Sequence, residues 1–250
     1  MPVSSPPHSL FISDLHLSSA QSPAAALFLN FVRDTAPQAE ALYILGDLFE
    51  YWAGDDDLAD PFHARVTGSL RQLAAQGTRI FIMHGNRDFL MDEQLAAACR
   101  ASLLADPTLL DLYGTPTLLT HGDALCTDDA AYQQFRAQVR SAAWRGAFLA
   151  LPLTERKAQI EQMRSQSEQA KRSKAMEIMD VNEEAVHALL RQHRYPRLIH
   201  GHTHRPAQHL HQVDGHSCER WVLGDWDSGA AHILRADRAG LHWQTLAMQG

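Results

Sequence analysis

Residues 41–50 read ALYILGDLFE, a short apolar run that is followed at once by Gly46 and Asp47. The length of the run and its aromatic and branched residues predict a buried strand. Similar runs occur at residues 9–13, 79–84, 117–120 and 197–200. Each is followed by side chains that can bind metal, namely Asp14 and His16, Asp47, Asn86, His121, and His202 and His204.

Helix-like segments separate the first of these strands. Residues 23–35 and 61–76 carry apolar side chains at helical spacing, which favours an α/β layered fold. The C-terminal stretches 220–223, 231–234 and 241–246 have no helix between them. We expect these three stretches to close a second sheet as antiparallel strands.

Residues 130–193 do not continue this alternation of strands and helices. Their pattern predicts helices at 132–149, 154–169 and 173–193. Pro152 suits the start of the second of these helices. We therefore predict one domain over residues 1–250, with a helical insertion at 130–193 that forms a lid over the site.

Composition excludes several classes of protein. The chain has 250 residues, is 45% hydrophobic and has a formal net charge of −7, which disfavours a general nucleic-acid-binding protein. No apolar run approaches the roughly 20 residues that cross a bilayer, and the first residues lack a signal-peptide pattern. Three scattered cysteines are too few for a disulfide framework and favour a reducing cytosol.

Charge is unevenly distributed along the chain. Residues 133–175 contain nine Lys or Arg and three Glu, a balance of 9 − 3 = +6, so the remainder carries −7 − 6 = −13. A basic segment on an acidic protein suggests an anionic ligand or an anionic membrane surface. The alternative is a solvated helical face.

The polar groups after the strands combine carboxylates, an amide and imidazoles, without a thiolate. This set suits a pair of divalent ions of the manganese, iron or zinc class, an arrangement used to attack phosphorus. Asp14 and His16 alternate on what reads as an extended segment, as do His202 and His204, so each pair is expected to point to one side. Each motif alone is ordinary, and a lone His-x-His is more often a strand surface. All five in this order predict a metal-dependent phosphoesterase, with Asp47 as the bridging carboxylate.

The five motifs resemble those of the calcineurin-like metallophosphoesterases: D-x-H, G-D, G-N-[HR]-[DE], a lone H, and G-H-x-H. The resemblance implies a sandwich of two mixed β-sheets flanked by helices. It implies a first ion held by Asp14, His16, Asp47 and His204. It implies a second ion held by Asp47, Asn86, His121 and His202, with catalytic roles for Asp47, Asn86, Arg87 and His121.

Arg87 stands where many members of the family have histidine. A histidine there can protonate the leaving group, whereas arginine stays charged and can only clamp a phosphate oxygen. The substrate should then have a leaving group that needs little proton help, such as one phosphate of a pyrophosphate. This favours P–O–P hydrolysis over cleavage of a simple alkyl phosphate ester.

Longer stretches are similar to one branch of the family, at residues 43–50, 54–57, 84–90, 121–129, 178–182 and 199–206. That branch hydrolyses UDP-2,3-diacylglucosamine at the α-phosphorus in the lipid A pathway of Gram-negative bacteria, typically with Mn²⁺. The resemblance implies a lipid-linked UDP-sugar substrate. The basic segment makes peripheral attachment to the cytoplasmic face of the inner membrane a hypothesis, and no obligate protein partner is expected. It implies substrate contacts from Asn86, Arg87, Asp129, Ser167, Lys174 and His202. Lys171, often Asn in relatives, is a further candidate.

The insertion also carries an apolar stripe that could form an acyl chamber beside a phosphate-binding rim. Its members are Tyr132, Phe135, Val139, Trp144, Phe148, Leu149, Leu151 and Leu153. The alternative is that the stripe only seals the insertion onto the core.

Two other functions compete with this interpretation. A soluble hydrolase of nucleotides or dinucleoside polyphosphates would use the same ions without an apolar lid. A scaffold that has lost catalysis would be expected to lack some ligands, whereas every expected ligand type is present. Asp225 has no assigned role, and a loop or strand-end carboxylate is the simpler interpretation.

Overall fold

A computed structural model describes residues 6–172, 180–226 and 230–247, of which 166–172, 230 and 247 are described by their backbone only. The elements follow the alternation that the sequence predicts, with additional strands. The strands are β1 (Ser9–Ile12), β2 (Ala41–Leu45), β3 (Arg79–Met83), β4 (Ala101–Leu104), β5 (Thr108–Leu112), β6 (Thr115–Leu119), β7 (Arg197–His200), β8 (Ala207–Val213), β9 (His216–Val222), β10 (Ala230–Asp237) and β11 (Gly240–Ala247). The helices are α1 (Pro23–Asp34), α2 (Pro61–Ala75), α3 (Glu93–Cys99), α4 (Ala130–Val139), α5 (Ala142–Leu149), α6 (Leu153–Arg172) and α7 (Glu183–Gln192).

The strands form two mixed sheets, as the family resemblance implies. The first sheet has the order β11-β10-β1-β2-β3-β4, and the second has the order β5-β6-β7-β9-β8. Strands β1 to β4 are parallel to one another, and so are β6, β7 and β9. Parallel strands end at the same edge of a sheet, so the loops that follow them gather at one end of the sandwich.

The alternation of side chains along β1 and β2 separates two cores. Leu10 and Ile12 pack with helices α1 and α2 on the outer face of the first sheet. Phe11 points the other way and stacks on Tyr43 with ring centroids 4.6 Å apart. Phe11 and Tyr43 meet apolar side chains of the second sheet, including Ile199, in the layer between the sheets. Helix α7 covers the outer face of the second sheet.

Local signals explain where the first two helices begin. Ser22 accepts a hydrogen bond from the backbone N–H of Ala25, and Pro23 follows it at the first helical position. Asp60 accepts from the N–H groups of Phe62 and His63 ahead of α2, with Pro61 in the equivalent place. Among the described helices, none is both long and apolar enough to cross a membrane.

The C-terminal strands differ from the prediction. Of the three stretches predicted to close the second sheet, the one that joins it is the stretch in β9, which lies parallel to β7. Strands β10 and β11 extend the first sheet instead, because β10 pairs antiparallel with β1. The prediction that all three stretches close the second sheet as antiparallel strands is therefore wrong. The apolar pattern identifies each strand but does not show that β10 pairs with β1, which is distant in the chain.

The described residues between 130 and 193 form helices α4 to α7, with different boundaries from those predicted. The expected helix over 132–149 is two helices, because Ser141 interrupts it and caps α5 by accepting from the N–H of Trp144. The helix expected at 154–169 is α6 (Leu153–Arg172). Of the expected helix over 173–193, residues 173–179 lie outside the described residues and α7 covers Glu183–Gln192.

Candidate metal centre

The predicted ligand residues all lie in loops that begin where a strand ends. Asp14 follows β1, Asp47 follows β2 and Asn86 follows β3 in the first sheet. His121 follows β6 in the second sheet, and His202 and His204 follow β7. The loops after β1 and β2 remain in register, since the N–H of Asp14 donates to the carbonyl of Gly46 over 3.1 Å. The shared edge of the parallel strands thus brings five separate loops together.

The backbone at these residues is not extended. Asp14, His16, Asp47, His202 and His204 all have positive φ, between 48° and 69°. The prediction that the D-x-H and H-x-H pairs alternate along extended segments is therefore wrong. Non-glycine residues in this conformation cost on the order of 1 kcal/mol or more each and need support from their surroundings. The N–H groups of Leu15 and His16 supply such support by both donating to the carbonyl of Asp47, at 2.9 and 3.0 Å.

One cluster contains Asp14, His16 and His204. The Nε2 atoms of the two histidines are 3.3 Å apart, and Nε2 of His204 is 3.4 Å from Oδ1 of Asp14. Oδ2 of Asp14 accepts from the Ser13 hydroxyl at 2.6 Å and from the N–H of His202 at 2.8 Å. Oδ1 of Asp14 is buried and has no hydrogen-bond partner among the described residues. This oxygen therefore faces the two imidazoles and is available to a cation.

A second cluster contains Asp47, Asn86, His121 and His202. Oδ1 of Asn86 lies 3.0 Å from Nε2 of His121 and 2.8 Å from Nδ1 of His202. Oδ2 of Asp47 lies 3.9 Å from Nε2 of His121 and 4.0 Å from Nδ1 of His16. Asp47 thus lies between the two clusters, where a carboxylate shared by two ions is expected.

Burial and mutual charge shift the titration of these groups strongly. Burial raises the pKa of Asp47 to about 7, against the lowering effect of His121. Burial lowers the pKa of His16 to about 3, helped by the positive charge of Arg87. Burial also opposes the protonation of His121, but the charges of Asp47 and Asp14 outweigh it and raise the pKa to about 9. Carboxylates and imidazoles are therefore held together in a buried site, where their protonation depends on one another's charge.

These observations fit a pair of divalent ions. The donor set is oxygen and imidazole, and Oδ1 of Asp14 is buried without a hydrogen-bond partner among the described residues. The candidate ligand atoms of each triad, Asp14–His16–His204 and Asp14–Asp47–His121, lie within 4.8 Å of one another. Mn²⁺, Zn²⁺ and Fe²⁺ all accept such ligands.

Removing divalent ions is expected to lower the melting temperature of the protein. A ligand that binds only the folded state, present at 100 times its Kd, adds about 2.7 kcal/mol per site. For a domain of this size, each kcal/mol corresponds to roughly 2–4 °C. Thermal unfolding followed by circular dichroism, with chelator and after Mn²⁺ is restored, measures the difference. Equal melting temperatures in the two conditions would contradict a metal centre built from these buried groups.

Neighbouring carboxylates fix the loops and the histidine tautomers. Asp88 accepts from the N–H groups of Leu48 and Gly85, each at 2.8 Å, and so ties the loop after β2 to the loop after β3. Oδ2 of Asp225 lies 3.0 Å from Nδ1 of His204, which leaves Nε2 of that ring facing Asp14. Asp225 therefore contacts a candidate ligand directly, a role that the sequence analysis did not assign to it. It follows β9, as the other site residues follow their strands, and that position was a usable signal.

Sequence reasoning also missed a buried polar chain behind the His202–His204 loop. Arg220 donates through Nη1 to Nε2 of His200 at 3.1 Å. An arginine only donates, so His200 must carry its proton on Nδ1, which lies 2.8 Å from the carbonyl of Gly201. The same carbonyl accepts from the N–H of Thr203 at 2.9 Å. This chain stabilises the turn that presents His202 and His204.

The residues predicted to contact the substrate lie in different parts of the structure, and some of their side chains are not described. Arg87 is beside the clusters, with Nε 3.9 Å from Oδ2 of Asp47, and its Nη1 bonds to Oε1 of Glu50. Asp129 caps α4 by accepting from the N–H of Tyr132 at 3.1 Å. Ser167 and Lys171 lie on α6, where only the backbone is described, and Lys174 lies outside the described residues.

The apolar stripe of the insertion is largely used for packing. Phe148 is 4% exposed and belongs to the main core, with Trp144 stacked on it at 4.6 Å and packed against that core. Leu149, Leu151 and Leu153 also pack against the main core. Phe135, in contrast, is 42% exposed. Most of the stripe therefore packs the segment onto the core, and Phe135 is the member of the stripe that is largely exposed among the described residues.

Several basic side chains of the insertion are also engaged with the core. Arg136 contacts Asp123 at 2.7 Å, Arg140 donates to the carbonyl of Gly85 at 2.9 Å, and Lys157 contacts Asp57 at 2.6 Å. Arg156 is buried and bonds to Asp56 and to the carbonyl of Ala53. These contacts hold the lid onto the loops that carry the site.

Comparison with known proteins agrees with this geometry. Residues 8–206 match the family described as calcineurin-like phosphoesterase. A protein of Aromatoleum aromaticum named UDP-2,3-diacylglucosamine hydrolase is 56% identical over 231 residues, covering 92% of this chain and 94% of that one. Proteins of the same name are 50% identical in Chromobacterium violaceum, covering 92% of this chain and 95% of that one, and 48% identical in Edwardsiella ictaluri, covering 93% and 90%. The chain belongs to the calcineurin-like phosphoesterase family.

Proposed function

We propose that this protein hydrolyses the pyrophosphate bond of UDP-2,3-diacylglucosamine at the α-phosphorus, giving UMP and 2,3-diacylglucosamine 1-phosphate. The observation that carries the proposal is the identity of 56% across nearly the whole chain to a relative named for that substrate. The two clusters of acid, amide and imidazole groups supply the chemistry that such a reaction needs.

The proposed metal ligands are those that the family resemblance implies. Asp14, His16, Asp47 and His204 would hold one ion, and Asp47, Asn86, His121 and His202 the other. When bound, such ions supply an activated water and neutralise charge on the phosphoryl oxygens. We propose Mn²⁺ as the native ion.

The protein groups around the ions are arranged for this task. Nδ1 of His121 lies 2.9 Å from the carbonyl of Leu45 and donates its proton there, so Nε2 faces inward. The main-chain N–H of Arg87 donates to Oδ1 of Asp47 at 2.8 Å, which leaves Oδ2 turned towards His16 and His121. Preorganised ligands of this kind need little rearrangement during the reaction.

Arg87 favours a pyrophosphate over a simple ester. Its side chain is 23% exposed, and its guanidinium can contact a phosphoryl oxygen while remaining charged. A phosphate leaving group is already a weak base and needs no proton from the enzyme. We propose Asn86, Arg87, Asp129, Ser167, Lys171, Lys174 and His202 as the residues that contact the substrate head group.

Hydrolysis of the acylated UDP-sugar by metal-stripped enzyme, before and after Mn²⁺ is restored, tests the proposal. Deacylated UDP-glucosamine is the matched control substrate. We expect Mn²⁺-dependent release of UMP from the acylated substrate alone. In water enriched in ¹⁸O, attack at the α-phosphorus places the label in UMP, whereas attack at the β-phosphorus places it in the lipid product.

Equal cleavage of both substrates would overturn the lipid part of the proposal. It would favour a hydrolase of soluble nucleotides or dinucleoside polyphosphates. Such an enzyme needs no acyl chamber, which agrees with the packing of Phe148 and Trp144 against the core.

We also propose that the protein works at the cytoplasmic face of the inner membrane, without a nucleic-acid ligand or an obligate protein partner. The substrate is a lipid, and the segment 133–175 has a balance of +6 from nine basic and three acidic residues. Sedimentation with vesicles containing anionic lipid should recover the protein at low salt and release it at high salt. Absence of the protein from the pellet at low salt would contradict the membrane part alone.

A further inference from the structure

The side chain of Glu50 lies beside three groups of the site. Among the described residues of this region, no other single side chain contacts all three. Glu50 lies three positions after Asp47, in the loop that follows β2, and its side chain is 15% exposed. It faces the candidate ligand His16, the phosphate-binding candidate Arg87, and Arg164 of the lid helix α6. None of the roles proposed above involves Glu50.

One carboxylate oxygen faces the imidazole of His16. Oε2 of Glu50 is 3.4 Å from Nδ1 of His16, and that nitrogen is buried without a hydrogen-bond partner at shorter range among the described residues. A histidine that binds metal through one ring nitrogen usually directs the other at a carboxylate, a carbonyl or a water. Glu50 is in the position to fix the orientation of His16.

The other carboxylate oxygen is shared by two guanidinium groups. Oε1 of Glu50 bonds to Nη1 of Arg87 and to Nη2 of Arg164, the latter at 2.6 Å. Arg164 is 114 residues from Glu50 in the sequence and lies on α6, with its guanidinium carbon 5.8 Å from the centre of the Tyr51 ring. The position of the lid helix is thereby linked to the position of Arg87 through one acceptor atom.

We propose that Glu50 is a positioning residue that couples the lid to the reacting site. Through Oε2 it orients His16 for the first ion. Through Oε1 it holds Arg87 beside Asp47 and transmits the placement of α6 to that arginine. The second role rests on the function proposed above, because it concerns the substrate; the first role requires only a metal centre.

Substituting Glu50→Gln tests both roles with little change of shape. The affinity for Mn²⁺, titrated without substrate, should fall about 10- to 100-fold, the range found when partners of metal-binding histidines are altered. Arg164→Met should leave Mn²⁺ affinity within about twofold and raise KM for the acylated substrate. Arg164→Lys, which keeps the charge, should recover part of that loss.

A double mutant decides whether Glu50 and Arg164 act together. If they do, adding Arg164→Met to Glu50→Gln should change kcat/KM by less than about twofold beyond Glu50→Gln alone. Glu161→Gln is the matched control, since Glu161 also contacts Arg164, at 3.1 Å, but its side chain is 73% exposed. This control should behave as wild type in both measurements.

Two results would overturn the proposal: wild-type Mn²⁺ affinity in Glu50→Gln, or effects of Glu50→Gln and Arg164→Met that multiply in the double mutant. Failure of the wild-type enzyme to cleave the acylated substrate would instead contradict the proposed function. The Mn²⁺ titration would still test the first role in that case, and an activated aryl phosphodiester would serve as substrate for the double-mutant comparison.

Discussion

Replacing Asp47 with asparagine is expected to lower turnover of the acylated UDP-sugar by roughly 10²–10⁴-fold. Asp47 is 1% exposed and faces both clusters, so the substitution removes the one carboxylate that both ions would share. Loss of a single group that stabilises developing charge at a reacting site typically costs about 10²–10³ in rate, and weaker binding of either ion would add to that loss. Steady-state kinetics and the number of metal ions bound per chain measure the two consequences.

The metal-free fold should tolerate the same substitution. Burial raises the pKa of Asp47 to about 7 in the folded protein, above its ordinary value of 3.8. Ionisation of Asp47 therefore destabilises the metal-free protein, beginning above about pH 4 and reaching its full extent above about pH 7. At pH 8 the metal-free Asp47→Asn variant should melt at or above the temperature of the metal-free wild type. Lost activity would then reflect lost metal and not an unfolded chain.

Asp57→Asn provides the matched control for Asp47→Asn. Asp57 is also buried, at 3% exposure, but it contacts Lys157 of the lid at 2.6 Å and belongs to neither metal cluster. The control should lower stability and keep the full metal content. Full metal content and near wild-type turnover in Asp47→Asn would contradict the placement of Asp47 between two ions.

The convergence of these residues was predictable from the sequence because it follows from the arrangement of the strands. Asp47, Asn86 and His121 each come directly after an apolar run, and runs of this kind form parallel strands that end at one edge. Convergence of the loops required no knowledge of their internal geometry. The prediction therefore placed the residues together even though it assumed extended backbone at Asp14 and His16, where φ is positive.

The remaining features depend on contacts between residues that are distant in the chain. The sequence pattern identified β10 as a strand, but its pairing with β1 joins residues more than 200 positions apart. Apolar periodicity in the lid showed that a face is buried, without showing that Phe148 is buried against the main core. Glu50 contacts the candidate ligand His16 only because the fold brings their loops together.

Replacing Gly85 with alanine is expected to lower turnover at least about 100-fold, although Gly85 has no side chain that could bind a metal ion or the substrate. A Cβ atom added at Gly85 would lie 2.7 Å from the carboxyl carbon of Asp47 and would overlap Oδ1 and the backbone nitrogen of that residue. The backbone of Gly85 cannot easily move away. Its N–H donates to Asp88 at 2.8 Å, and its carbonyl accepts from Arg140 at 2.9 Å.

The strain from this substitution must therefore displace Asp47 or separate the loops after β2 and β3. Overpacking of this kind typically costs about 1–3 kcal/mol of stability, and a displacement of about 1 Å at a reacting site can cost about 10²-fold in rate. Turnover, Mn²⁺ affinity and the melting temperature should all fall in Gly85→Ala. Gly68→Ala is the matched control, because Gly68 lies within α2 with open space around its Cβ position, so alanine should stabilise the helix by about 0.5–1 kcal/mol. Wild-type Mn²⁺ affinity in Gly85→Ala would show that the two loops can separate without disturbing Asp47, and would contradict the close contact as the reason for glycine at this position.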